Sequence, residues 1–253
     1  MLTIDLNCDM GEGMPHDAEL MPLISSANIA CGGHAGDADI MRRTIELALK
    51  INVAIGGHPS YPDRKNFGRK DLVGSSLQAD AIPSIITEQI FHLKKICHEF
   101  GTRLHHIKPH GALYNRAAAD SEISTLICEA VKQIDPWLML YGLSGSKMKS
   151  EAAKCGLKFV SEVFADRTYQ EGGSLTPRSQ PHALIESEEL AIKQVLTLVK
   201  NGFATSLEGF LIPVEAETIC LHSDGGKAVE FAHLINEIFK AENIKISAPA
   251  WSK

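Results

Sequence analysis

Residues Ser26–Gly56 read SANIACGGHAGDADIMRRTIELALKINVAIG, and three consecutive pieces of that stretch decide the fold. Ser26–Ala30 is a short, largely apolar run of strand length. After a glycine-rich turn, Asp37 stands where a helix cap belongs, and Ile40, Thr44, Ile45, Leu47 and Ala48 then share one face at helical spacing as far as about Lys50. Val53–Gly56 is a second strand. A strand, a helix and a strand within about 30 residues make a parallel pair joined by a right-handed crossover.

The same alternation continues in both directions. Further strands are predicted at Thr3–Leu6, Leu104–Lys108, Leu138–Tyr141, Phe159–Val163 and Thr218–Leu221. Helices are predicted from Asp80 and Pro83 to Gly101, and at Glu122–Ile134, Lys147–Cys155, Glu188–Lys200 and Ala228–Lys240, with Asn201-Gly202 as a stop. About seven such units without an interrupting linker favour an α/β barrel, closed or nearly so, over an open doubly wound sheet. The 253 residues suit one such domain spanning 1–253.

Composition narrows the class. Hydrophobic residues make up 44% and charged residues 22%, enough apolar material for a full core. The formal net charge is -6 with no Lys/Arg-rich face, which argues against nucleic acid or an anionic membrane as partner. No apolar run approaches the roughly 20 residues that span a bilayer. The opening Met1-Leu-Thr-Ile-Asp lacks a basic and then apolar leader, and six scattered cysteines form no C-x-x-C or disulfide framework. A cytoplasmic protein is expected.

Ionisable residues gather just after the apolar runs. They are Asp5-Leu-Asn7-Cys8-Asp9-Met-Gly11-Glu12-Gly13, then Asn28 through His34 to Asp37, then His58-Pro-Ser-Tyr-Pro-Asp63. Lys108-Pro-His110-Gly-Ala-Leu-Tyr114-Asn115, Glu162-Val-Phe-Ala-Asp166-Arg167 and His222-Ser-Asp224 complete the set. In an α/β barrel all strand C-termini open on one rim, so these segments should converge there. Ionisable groups concentrated at a buried rim are costly unless paired or used, which makes that rim the candidate active site. Asp9, His34, His58, Lys108, His110, Glu162, Asp166 and Arg167 are the candidate catalytic residues. Asn7, Asn28, Asp63, Tyr114, Asn115, His222 and Asp224 are candidates for touching substrate.

Plainer roles compete for some of these residues. Asp5 could hold a neighbouring Lys or Arg inside the barrel, and Asp37 reads as a helix cap. His92, His98 and His233 fall on helices and read as surface or packing residues, and only one of His105 and His106 can face the barrel interior. Cys8 and Cys31 read as small packing residues. Gly142, Ser144, Gly145 and Ser146 follow the fifth strand and open a helix, where backbone N–H groups can cradle phosphate; Gly225-Gly226-Lys227 is a second such turn. Neither has Walker A spacing, and the chain has no Rossmann G-x-G-x-x-G and no G-x-S-x-G elbow. Asp9, His34 and His58 together would suit a divalent hydrolytic metal.

Taken in order, these segments resemble the LamB/YcsF family, described as the A subunit of prokaryotic 5-oxoprolinases. The stretches that carry the likeness are Asp5–Glu12, Asn28–Asp37, Gly57–Asp63, Phe67-Gly-Arg69, Lys108–Asn115 and Glu162–Tyr169, and it extends to Asp224. This chain departs from the family at Gly13-Met-Pro-His16 and at His222-Ser223-Asp224, where His-Gly-Asp is favoured. The resemblance implies a distorted (β/α)7 TIM-like barrel of the glycoside hydrolase/deacetylase type. It also implies ATP-dependent opening of 5-oxoproline to L-glutamate with two partner proteins, subunits B and C. A metal-dependent amide or N-acetyl-sugar deacetylase is the rival enzyme, and a non-catalytic substrate-binding subunit is the reading from another class.

Overall fold

A computed structural model describes residues 1–251. Strand β1 (Leu2–Met10) is followed by a one-turn helix α1 (Asp17–Leu20), then β2 (Ser26–Ala30), α2 (Ala38–Lys50), β3 (Ala54–His58) and α3 (Ile82–Glu99). Next come β4 (His106–Ile107), α4 (Gly111–Ala119), α5 (Ser121–Ile134), β5 (Met139–Leu143), α6 (Lys147–Cys155) and β6 (Phe159–Phe164). Helix α7 (Glu188–Leu196) runs into a π turn (Thr197–Asn201). It is followed by a small antiparallel hairpin of β7 (Phe203–Thr205) and β8 (Leu211–Pro213), then β9 (Thr218–Leu221), α8 (Ala228–Ala241) and β10 (Ile244–Ile246).

The first six strands lie side by side in chain order, β9 follows β6, and β9 then pairs with Asp5–Cys8 of β1, all in parallel. Seven strands therefore close into a barrel, as expected. Strand β10 adds to the start of β1, opposite Leu2–Ile4. The predicted βαβ unit holds in detail: the Asp37 carboxylate caps α2 by accepting from the Asp39 and Ile40 backbone N–H groups at 3.0 and 2.9 Å.

Strand β1 shows how the layers are divided. Ile4, Leu6, Cys8 and Met10 join the apolar core under the helices. Asp5, Asn7 and Asp9, two residues apart, are buried on the opposite face and bond across the barrel. The barrel axis is accordingly polar. At its base the Asp5 carboxylate accepts from Ser25, Ser26 and Thr218 hydroxyls at 2.6, 2.8 and 2.7 Å. No Lys or Arg among the described residues pairs with it, contrary to the role expected for it; burial raises its pKa against those hydrogen bonds. Gly56 leaves room for the His106 ring, which a Cβ there would overlap.

No helix of the described residues is long and apolar enough to cross a membrane. His92, His98 and His233 are exposed, as read from the sequence.

Candidate active site

The C-terminal strand ends open into a cavity of about 350 Å³. Asp9, Glu12, His58, Lys108, His110 and His222 line its depth, and Arg69, Arg167, Arg178 and Asp224 are also in its wall. The rim predicted from the sequence does converge, though the residues divide into layers with different tasks.

Lys108 is the centre of the deep layer. Its buried Nζ donates to Asp9 Oδ1 at 2.9 Å and to Cys220 Sγ at 3.0 Å, and lies 3.0 Å from Glu162 Oε1. Burial alone would lower the Lys108 pKa; Asp9, Cys220 and Glu162 together push it well above the usual value, so the ammonium is held charged. Burial likewise opposes the Asp9 charge, and His58 and Lys108 more than offset it.

Asn7 and Asn28, expected to touch substrate, lie beneath this layer and are spent on protein. Asn7 Nδ2 donates to Glu162 Oε1 and to Thr218 Oγ1, at 2.9 and 2.7 Å. Asn28 Nδ2 donates to Asn7 Oδ1 and Asp9 Oδ1, and its Oδ1 faces His106 Nε2 at 2.7 Å. With their amide groups so engaged, the two asparagines set the position of Asp9 and Glu162. Above them Glu162 Oε2 and the Tyr114 hydroxyl are buried without hydrogen-bond partners among the described residues. Burial and the neighbouring Glu162 charge push Tyr114 well up.

Asp166 and His222 form a dyad. The His222 Nδ1 is 3.0 Å from both carboxylate oxygens, and its backbone N–H donates to Oδ2 at 3.0 Å. A carboxylate only accepts, so Nδ1 carries a proton, and Nε2 is left as the ring's other nitrogen on the residue that lines the cavity. Burial would raise the Asp166 pKa, but His222 holds it below the usual carboxylate value. His222, expected only to contact substrate, thus has the surroundings of a general base.

Arg167 is buried and holds the loop after β6 by donating to Thr176 O at 2.6 Å and Ala183 O at 3.3 Å. Burial, with Arg178 nearby, lowers it to about 10. At the mouth, Asp224 Oδ2 accepts from Arg69 Nη2 at 2.6 Å and Arg178 Nη1 at 3.1 Å. Asn115 lines the cavity too. Asp63 does not: its carboxylate accepts from the Asn66 backbone and side chain and closes a turn. Gly142, Ser144, Gly145 and Ser146 also lie outside the cavity lining, and Ser144 Oγ accepts from the Glu215 backbone at 2.8 Å.

Of the expected set, Asp9 Oδ2 does stand 3.3 Å from His58 Nε2, and the histidines also gather with Glu12. Glu12, His34, His58 and His110 bring ligand atoms within 4.8 Å of one another. Burial pushes His34 down and His110 well down from the ordinary imidazole value, leaving nitrogens able to bind a cation. Asp9, Cys220 and His222 form a second such group, but the Lys108 ammonium already sits on two of its members. Sequence reading passed over Glu12, Cys220, Arg69 and Arg178. Glu12 and Arg69 stood inside stretches already singled out, and Arg178 in the long loop after β6.

The LamB/YcsF family model matches residues 4–252. The chain is 48% identical over 255 residues to the A subunit of the 5-oxoprolinase of Bacillus mycoides strain KBAB4, covering 98% of this chain and 99% of that one. The crystal structure of a lactam utilization protein from Thermus thermophilus superposes with a TM-score of 0.90 at 37% identity, covering 98% of this chain and 100% of that chain. A family 4 carbohydrate esterase from Streptomyces lividans shares the fold, with a TM-score of 0.51 at 11% identity over 98% of this chain and 93% of that one. Matched from end to end at this identity, the chain belongs to the LamB/YcsF family.

Proposed function

We propose that this chain is the A subunit of a 5-oxoprolinase and that the lactam bond of 5-oxoproline is opened by water in its barrel mouth. The observation that carries the reading is the 48% identity, over 98% of the chain, to a protein of that name. The cavity supports it chemically: it is small, it has three arginines in its wall for an anionic substrate, and it holds a charged lysine and an oriented histidine deeper in.

In the reaction, His222 Nε2 takes a proton from the attacking water while Asp166 fixes the ring and steadies its positive charge. The water oxygen bonds to the lactam carbon, the C–N bond breaks, and the ring nitrogen leaves with a proton as the amine of glutamate. Lys108 and the arginines balance the anionic oxygen and the carboxylate. A lactam resists attack because its amide is stable and the ring recloses readily. ATP would overcome this by phosphorylating the lactam oxygen with release of ADP, in concert with partner subunits B and C. C–N cleavage after water addition then leaves an acyl phosphate, and a second water breaks it to the carboxylate of glutamate and inorganic phosphate. A phosphate so placed would meet Arg69, Arg167 and Arg178 rather than the turn at Gly142–Ser146.

The test is ATP-dependent glutamate release from 5-oxoproline by this chain with candidate partner subunits, each omitted in turn. Release that vanishes when this chain is left out is the expected result. No release from a complete, folded mixture overturns the reading; ATP-independent removal of an acetyl group would then favour a deacetylase. The Asp166–His222 dyad weighs against a subunit that only captures substrate, since capture has no use for an oriented base.

A further inference from the structure

The hydrogen bonds around Glu12, His58 and His110 show which of their atoms are free. Backbone carbonyls only accept, so His58 Nδ1, 2.7 Å from the Lys108 carbonyl oxygen, carries a proton. His110 Nε2, 2.9 Å from the Phe67 carbonyl oxygen, carries one as well. The inner nitrogens, His58 Nε2 and His110 Nδ1, face each other only 2.9 Å apart, and in the neutral rings that an ion requires both are bare. Glu12 Oε1 lies 3.3 Å from the second and 3.8 Å from the first. Asp9 Oδ2 also stands 3.3 Å from His58 Nε2. Four electron-pair donors thus surround one small space, an arrangement that repels itself unless something positive, an ion or a proton, occupies the middle.

We propose that Glu12, His58 and His110 are three ligands of one divalent ion of the zinc class, with a fourth position open to the cavity. The separations have the right size: tetrahedral ligands about 2.0–2.1 Å from an ion stand roughly 3.3 Å from one another. The His58 and His110 rings meet at 85°, so their planes cross and both lone pairs can aim at one point. Each ring's other nitrogen is held by a carbonyl, the outer contact that orients a metal-binding imidazole. Two imidazoles and a carboxylate suit zinc better than magnesium or calcium. All three residues line the cavity, so a bound ion would face substrate.

His34 belongs to the outer contacts. Its ring is stacked on His110, centroids 3.6 Å apart and planes 3° from parallel, and two parallel rings cannot both turn in-plane lone pairs on one ion. Its Nε2 instead donates to Glu12 Oε1 at 2.8 Å and fixes that carboxylate. The bare Nδ1 that this tautomer requires is the buried His34 atom that lacks a partner among the described residues.

The experiment uses the isolated full chain, stripped with chelator and titrated with Zn²⁺ by calorimetry and with Co²⁺ by visible absorption. One equivalent of each ion is expected, with the intense bands of four-coordinate Co²⁺. His58→Gln and His110→Gln should each weaken binding by at least about 100-fold, and His34→Gln by about 10–100-fold. Glu46→Gln, on the exposed face of α2, should bind like wild type. Circular dichroism melts establish which variants are folded, and the Co²⁺ spectrum of wild type stands even if one variant is not. Absence of stoichiometric binding overturns the proposal, as does wild-type affinity in both His58→Gln and His110→Gln. Imidazolium signals from this pair at neutral pH in ion-free wild type, with no ion taken up, would assign the space to a proton and overturn it too. The readout needs no turnover, so its failure leaves the oxoprolinase assignment standing.

Discussion

The Asp166 carboxylate holds His222 at three points, two oxygens on Nδ1 and one on the backbone N–H, all at 3.0 Å. That grip fixes one tautomer. Asp166→Asn puts an amide where the Nδ1 proton was received and favours the wrong one, as an acid-to-amide change does in a serine-protease triad. In the assembled enzyme kcat should fall by about 10²–10⁴ while KM moves a few-fold. Steady-state kinetics check this, and an unchanged kcat removes His222 as the base.

The same carboxylate bears on acid stability. Its folded pKa lies below the usual 3.8, because His222 more than offsets the effect of burial. The unfolded chain therefore takes up the proton first as pH falls. The stabilisation is present above pH 3.8 and disappears as pH drops through the folded value. Between about pH 5 and pH 3 the melting temperature of wild type should fall more steeply than that of Asp166→Asn; parallel slopes would contradict this.

Lys108→Met removes the cation between Asp9 and Glu162 and leaves buried carboxylates facing each other. Breaking a buried pair from one side costs about 3–5 kcal/mol. Urea denaturation should show a loss of that order. A loss below about 1 kcal/mol would mean that the carboxylates take up protons or move apart at little cost.

Arg178 and Arg69 share Asp224 at the mouth. Arg178→Ala should raise KM for the anionic substrate about 10-fold with kcat changed much less, the pattern of an interaction made equally in ground and transition states. A fall in kcat at constant KM would place Arg178 at the reacting centre instead.

The thiols give a simple check of packing. Burial pushes Cys31, Cys97 and Cys128 up to about 12, Cys8 and Cys220 are raised well above 9.0, and Cys155 alone is only half-buried. At about pH 8 an aromatic disulfide reagent should titrate one thiol rapidly in native protein and all six in denaturant. A second fast thiol would show that the core opens.

The seven barrel strands are legible in the sequence because each is a short apolar run followed by a polar or glycine-rich turn, and six of those turns carry charge or histidine. Strand β1 extends beyond Leu6 because its polar residues, Asn7 and Asp9, face a polar barrel axis, where alternation looks like the end of a strand. Helix α4 is hidden because Pro109-His110-Gly111 reads as a turn, and Gly111 does adopt a φ of 56° at the helix start. The β7–β8 hairpin and β10 are too short, at three residues each, to carry a pattern. At the site the sequence names the meeting strands and most ionisable groups, but not who touches whom. That Glu12 joins Asp9 beside the histidines depends on the turn at Gly11, whose φ of 71° the linear pattern does not reveal.

Closure of β1 onto β9 has a consequence for biosynthesis. The first strand emerges from the ribosome long before its partner Thr218–Leu221, some tens of seconds at about 5–20 residues per second. Until then β1 offers an unpaired edge to any neighbouring nascent chain, and the barrel has neither His222 nor Asp224. The cavity is thus left incomplete until translation is nearly finished, and the interval before it is when a holdase chaperone would matter most.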